Sequence, residues 1–227
     1  MKKRIAVALV ALVMIVGCVV GGTLAWLVDD TDAVVNTFTY GDINIDLWEH
    51  PINADGLTLN TSAAVVKSED DFKMIPGGTI QKDPTVEVKP GSEACWIFVE
   101  VEESANFDDF MTYAIDGGWT LYGETTAGGI VTDNTTADKY VIYRAQTATI
   151  GATASVEHSV LSNDQVLVKG SVTKEMFNAF DDNKDGILSE EEKKDLPTLT
   201  FTACAVQSAN ITLAEAYTNA SNAFNSK

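Results

Sequence analysis

Two stretches, Cys95-Trp96-Ile97-Phe98-Val99-Glu100-Val101 and Leu199-Thr200-Phe201-Thr202-Ala203-Cys204-Ala205-Val206, decide how this chain folds. The first is apolar at every position before Glu100. A strand built from it offers hydrocarbon to both sides of its sheet, which is the pattern of a buried interior strand. The second alternates, with Leu199, Phe201, Ala203 and Ala205 set against Thr200, Thr202 and Cys204. A period of two puts those sets on opposite faces of a strand. Working outward, Thr37–Leu47 alternates at Ile43, Ile45 and Leu47, and Val86 and Val88 alternate with Glu87 and Lys89 ahead of a Pro90-Gly91 turn. Shorter strand-like runs lie at Trp119–Tyr122, Tyr140–Tyr143 and Gln165–Val168, with Gly, Asn, Asp and Thr clusters between them. Seven or more short strands joined in this way predict a mainly all-β chain, an antiparallel β-sandwich.

Only two stretches read as helix. Thr173–Phe180 puts Met176, Phe177 and Phe180 on one side, and near the end Thr212 and Glu215 stand at capping-box spacing. Leu213, Ala216, Tyr217 and Ala220 follow at helical period, so a short C-terminal helix is expected. The chain shows no internal repeat at a solenoid period and no Pro- or Ser-rich linker, which predicts one β domain with local insertions.

Lys2-Lys3-Arg4 precede an apolar run from Ile5 to Leu27, the charged n-region and apolar h-region of an export signal. Three outcomes fit these residues. One is cleavage between Ala25 and Trp26, with Thr23 and Ala25 as the small residues of the site. Another is lipoprotein processing at Cys18, since Ile15-Val16-Gly17-Cys18 fits a lipobox. The third is a retained anchor, because 23 apolar residues can span a bilayer core. The domain division is then a signal peptide over 1–25 and a β domain over 26–227, with membrane contact only through an uncleaved signal.

The chain has 227 residues, of which 15 are basic and 33 acidic, for a net charge of −18. Cleavage after Ala25 removes three basic residues and no acid, which takes the mature chain to −21. Such acidity excludes nucleic acid as a partner, since phosphate binding needs clustered Lys and Arg. An apolar content of 45 % is sufficient for a core. Export would place Cys95 and Cys204 where a disulfide is permitted, and a bridge and two buried free thiols both fit the sequence.

Residues 181–192, Asp-Asp-Asn-Lys-Asp-Gly-Ile-Leu-Ser-Glu-Glu-Glu, resemble an EF-hand calcium loop over all twelve positions. Calcium takes six to eight hard oxygen ligands in flexible geometry. Asp181, Asn183 and Asp185 stand at positions 1, 3 and 5, and Gly186 at position 6, where the chain turns sharply. Ile187 offers its backbone carbonyl, Ser189 acts directly or through a water, and Glu192 supplies the bidentate carboxylate. Leu188 is the apolar residue that holds such a loop against a core. Regulatory EF-hands come in pairs, and no second loop exists in this sequence. Pro197 also ends any exiting helix five residues after Glu192, so the expectation is a dockerin-type structural Ca2+ site.

Catalytic readings find little support. His50, before Pro51, and His158, in a Ser/Val strand-like run, stand 108 positions apart without a His-Glu-x-x-His helix, and both are expected to be loop or surface histidines. There is no phosphate-binding Gly-Lys-Ser/Thr loop and no Gly-x-Ser-x-Gly elbow. Glu100, Glu102 and Glu103 read as a solvated strand edge, and Trp48, Trp96 and Trp119 as core positions in preference to a carbohydrate platform.

The segment Gly22-Thr23-Leu24-Ala25-Trp26-Leu27-Val28-Asp29-Asp30, followed by Asn36-Thr37-Phe38-Thr39-Tyr40-Gly41-Asp42-Ile43, resembles the N-terminus of the TasA/camelysin group of Gram-positive bacteria. Ile75-Pro76-Gly77-Gly78-Thr79-Ile80-Gln81-Lys82-Asp83-Pro84-Thr85-Val86, Gly91-Ser92-Glu93 and Ala203-Cys204-Ala205-Val206-Gln207 with Ala214-Glu215-Ala216 extend the resemblance. It implies a jelly-roll-like β-sandwich, processing by a signal peptidase of the SipW type, and residence at the cell surface or in an extracellular, biofilm-type matrix. Some members form fibres in which the N-terminal segment of one subunit adds a strand to the next, and the apolar start Trp26-Leu27-Val28 suits such self-assembly. The alternatives are a secreted hydrolase, a camelysin-like peptidase with structural calcium, and an adhesin-like binding module.

Overall fold

Strand β4, Cys95–Glu103, lies at the middle of an antiparallel sheet in the order β10 (Leu199–Gln207), β4, β7 (Lys139–Gln146), β6 (Thr120–Leu121). The computed structural model describes residues 42–67, 72–123, 139–182 and 188–226, all within the compact unit Gly41–Lys227. Ala25, Trp26 and the rest of the export signal, the first five residues of Thr37–Leu47, and the loop positions Asn183, Asp185 and Ile187 lie outside the described residues. Two further antiparallel sheets have the orders β1 (Ile45–Trp48), β3 (Thr85–Val88), β8 (Val156–Ser159) and β2 (Thr79–Gln81), β9 (Leu161–Val168), β5 (Met111–Ile115). Three α-helices are described: α1 (Phe107–Phe110), α2 (Lys174–Asn178) and α3 (Leu213–Phe224). The chain is therefore mainly β, as the alternation predicts.

The apolar run of β4 is explained by what lies on either side of it. Cys95, Ile97, Val99 and Val101 face a core that also takes in Val86 and Val88 of β3, Tyr113 and Ile115 of β5 and Val166 and Val168 of β9. Phe98 and Trp96 point the other way and pack with Ala216, Ala220 and Phe224 of α3. Strand β10 divides by the same rule, with Leu199, Phe201, Ala203 and Ala205 on the core side and Cys204 and Val206 under the helix. The register that pairs Ala203 with Val99 and Cys204 with Phe98 keeps both alternations in phase. Further along β4 the same face turns polar: Glu100 and Glu102 both pair with Lys139, at 2.9 and 3.2 Å.

Helix α3 starts where the capping-box spacing places it. The Thr212 hydroxyl accepts the Glu215 N–H at 3.3 Å, and the Glu215 carboxylate accepts the Thr212 N–H at 2.8 Å. Tyr217 stacks on Tyr122 at 3.6 Å between ring centroids, which fastens the helix to the β6 edge of the sheet.

The register also decides the cysteines. Cys95 pairs with Gln207 and lies on the core face, whereas Cys204 pairs with Phe98 on the helix face. A disulfide cannot reach through a sheet, and both thiols are free. Burial pushes the Cys95 thiol up to about 11.

Three expectations are corrected. His158 does lie in a strand, on β8 opposite Val86, but it is not at the surface: it is buried. Its Nε2 meets the Gln146 side-chain oxygen at 2.6 Å, while the Gln146 amide donates to the Thr147 carbonyl, so the histidine carries its proton on Nε2. Glu103 is not on a solvated edge, because β4 is interior. Glu103 is buried and accepts the Tyr113 hydroxyl at 2.7 Å, and that hydroxyl also meets Tyr140. Finally, β2 and β5 form strands that hydropathy left unassigned. In β5 the alternation is intact, with Met111, Tyr113 and Ile115 buried and Thr112 and Ala114 between them, but it runs over only five residues.

Candidate metal centre

The segment that carries the EF-hand-like loop leaves the core at Thr173. The Thr173 hydroxyl accepts the Met176 N–H at 3.4 Å and caps α2, a helix of only five residues. A helix that short does not hold by itself, so tertiary contacts must supply the stability. Met176, Phe177 and Phe180 provide those contacts by packing on the main core. Phe110 of α1 lies 5.9 Å from the Phe177 ring and 5.4 Å from the Phe180 ring. The next residue is Asp181, which is delivered at the margin of the core with 8 % of its surface exposed.

The far end of the loop folds back on its beginning. Glu192 Oε2 accepts the Ser189 N–H at 2.7 Å and the Ser189 hydroxyl at 2.6 Å, and Ser189 Oγ in turn accepts the Glu192 N–H at 3.4 Å. This is a capping box, with Ser189 and Glu192 three residues apart as the reciprocal partners. The second carboxylate oxygen, Oε1, accepts the N–H of Asp182 at 2.8 Å. The twelfth residue of the loop is thereby bonded to the ninth and to the second, next to Asp181. Glu190 and Glu191 turn away, pairing with Lys193 at 2.7 Å and Lys194 at 2.6 Å. The Lys193 ammonium holds the Glu190 carboxyl below its ordinary value. Of three consecutive glutamates, the described geometry thus turns only Glu192 toward the loop.

After Glu192 the chain makes a 3₁₀ turn, Glu192–Asp195, and Leu196 leaves helical geometry at ψ 149°. The residue before a proline avoids the helical region, so Pro197 ends the turn. The exit is then tied down. Asn106 Nδ2 donates to the Asp195 carbonyl at 2.9 Å, and Ser104 and Thr198 exchange two bonds at 3.0 and 2.9 Å.

Of the six expected ligands, Asp181, Ser189 and Glu192 are described, and Asn183, Asp185 and Ile187 lie outside the described residues. Ser189 and Glu192 are in direct contact, and Glu192 reaches the residue that follows Asp181. The described donors are oxygens alone, two carboxylates and a hydroxyl. That set suits a hard divalent cation and not a soft or imidazole-seeking one.

The other residues weighed for chemistry have structural partners. His50 Nδ1 meets Asp83 Oδ2 at 2.6 Å, and its backbone N–H is accepted by Asp83 Oδ1 at 2.9 Å, so Asp83 pins the residue beyond β1. Lys82 and Glu49, both buried, pair at 2.6 Å. Trp119 is fully buried and donates to the Ser159 carbonyl at 2.7 Å, which removes it from any exposed sugar platform. The anchor at Ser104 and Asn106 has no signature in the sequence, because it rests on bonds to backbone groups 94 and 89 positions away. In comparisons with protein-family models, curated proteins and solved structures, the chain has no match.

Proposed function

We propose that this chain is an exported, calcium-binding structural protein of the TasA/camelysin type, acting at the cell surface or in an extracellular matrix. The observation that carries the calcium part is the Glu192 carboxylate, which lies back across the loop onto Asp182 and Ser189 beside a buried Asp181. In this reading Asp181, Asn183, Asp185, Ser189 and Glu192, with the carbonyl of Ile187, hold the ion. Bound calcium would offset the repulsion among the carboxylates and fasten the loop to the core. An extracellular module of this kind binds with a Kd of roughly 10⁻⁴–10⁻³ M.

The finer fold belongs to the same proposal. A jelly-roll-like sandwich accounts for three antiparallel sheets whose inner faces share one core, with α2 and the loop as a local insertion. Export rests on residues 1–25, and assembly on the apolar segment Trp26-Leu27-Val28, which would add to a sheet edge of a neighbouring copy.

Calorimetric titration with calcium tests the site. Binding with one ion per chain, abolished in an Asp181→Ala, Glu192→Ala double variant, is the expected result. Heat absent from the wild-type titration overturns the calcium reading. Electron microscopy tests assembly: filaments that persist after deletion of residues 26–32 overturn strand addition.

A further inference from the structure

Both flanks of the loop are held by one short stretch of chain. Residues Ser104–Phe110 connect β4, in the four-stranded sheet, with β5, in a different sheet. On the entrance side, Phe177 and Phe180 straddle Phe110. On the exit side, Asn106 bonds the Asp195 carbonyl at 2.9 Å and Ser104 bonds Thr198 in both directions. Ser104 and Asn106 also bond each other, Oγ to Oδ1, at 2.7 Å. That bond leaves the Asn106 amide nitrogen aimed at Asp195.

We infer that the β4–β5 connection is the seat of the calcium loop, with Asn106 and Ser104 as positioning residues that set its affinity. The inference rests on the calcium reading above. A twelve-residue loop must bring its first and last carboxylates together before both can bind one ion, and that closure has an entropic cost. In paired EF-hands a second loop steadies the first; here the sequence provides no second loop, and the 104–110 connection grips both ends. Ends held in advance leave less ordering for the ion to impose, which raises affinity without any added ligand. None of these residues is among the expected ligands, so Asn106 acts through the carbonyl of Asp195 and the 3₁₀ turn that carries Glu192.

Linkage makes the coupling reciprocal: whatever the seat adds to calcium affinity, calcium adds to the order of the seat. In calorimetry on the full chain, Asn106→Ala should raise the Kd for calcium about fivefold to tenfold. The calcium-free melting temperature should scarcely move, and Asn106→Gln, which restores a donor, should recover part of the affinity. Hydrogen exchange on the unmodified chain gives a second reading that needs no variant. Calcium should slow exchange at residues 104–110 as well as at 188–196. Protection confined to 188–196, or an unchanged Kd in Asn106→Ala, overturns the seat while leaving calcium binding intact. Absence of any calcium effect on the wild-type chain overturns the calcium reading, and the seat with it.

Discussion

The β4–β10 pair and the insertion from Thr173 to Thr198 are held by opposite means. Strand β4 has Ile97, Phe98, Val99 and Val101 fully buried, with hydrocarbon on both faces. In the insertion the described helix and turn contain no fully buried side chain; Phe177 and Phe180 are partly buried, and the exit hangs on a few hydrogen bonds. Burial scales with area and needs no ligand, whereas an assembly of polar contacts around clustered carboxylates gains most from an added cation. The first region should therefore be insensitive to solution conditions, and the second should answer to them.

The sharpest way to break that contrast is to remove Phe98. Its ring sits between the sheet and α3, against Tyr143 at 6.2 Å and Tyr217 at 6.0 Å. Phe98→Ala should cost about 3–5 kcal/mol, because it leaves a cavity that the sheet and helix cannot close together. Phe177→Ala should cost clearly less, since that ring is already partly open to solvent. Urea denaturation of both variants measures the difference, and equal losses would mean that the insertion is as much a part of the core as β4.

Calcium should act on the other side of the comparison. For a Kd of roughly 10⁻⁴–10⁻³ M, about 10 mM calcium should stabilise the folded chain by about 1.4–2.7 kcal/mol relative to EDTA. The gain should be retained in Phe98→Ala, because Phe98 packs in the cluster under α3 whereas Phe177 and Phe180 pack on the other core cluster. Thermal melts of wild type and variant, each with calcium and with EDTA, test this. A gain that vanishes with Phe98 would join the two regions that the structure separates.

What was legible in the sequence follows the same division. Strands β4 and β10, the face that each residue takes and the capping box at Thr212 can all be read from spacing, because period and burial act locally. The EF-hand-like spacing can be read for the same reason, since the ligands it would supply stand at fixed offsets in one segment. The buried state of His158 and Glu103 was not legible. Each depends on a partner brought from elsewhere by the topology, Gln146 and Tyr113 respectively, and each belongs to a residue type usually found at the surface. Ser104 and Asn106 were hidden more deeply, since their partners on the far side of the insertion are reached only after folding.

Acid should single out His158 within the otherwise insensitive core. Burial, with the Arg144 charge adding to it, pushes the His158 imidazole down to about 4. The folded chain therefore keeps the ring neutral, while the unfolded chain protonates it near its ordinary pKa of about 6.5. Because the folded pKa is the lower one, stability is flat above about pH 6.5 and falls as the pH drops toward about 4. The loss should reach about 2 kcal/mol, and His158→Gln should flatten the profile between about pH 6.5 and 5, before most carboxylates begin to titrate. Chemical denaturation across that range measures it. A wild-type curve already flat over that interval would place the ring in contact with water.

The smallest effect belongs to the polar end of the outer sheet face. Lys139 pairs with Glu100 and Glu102, yet about half of the Lys139 side chain and of the Glu102 side chain is exposed, and only Glu100 is largely covered. A pair of this kind exchanges modest Coulomb attraction for side-chain entropy and is screened by salt. Lys139→Ala should therefore shift the urea midpoint only slightly, and by less in about 0.5 M salt than in low salt. A loss comparable to that of Phe98→Ala would mean that this polar end is covered by something in the folded chain. It would also mean that the outer face is buried along its whole length, and not only where the helix lies. The apolar half of β4 requires the helix; the Glu100–Glu102 half carries charges held by one half-exposed lysine, and salt-dependent denaturation separates the two requirements.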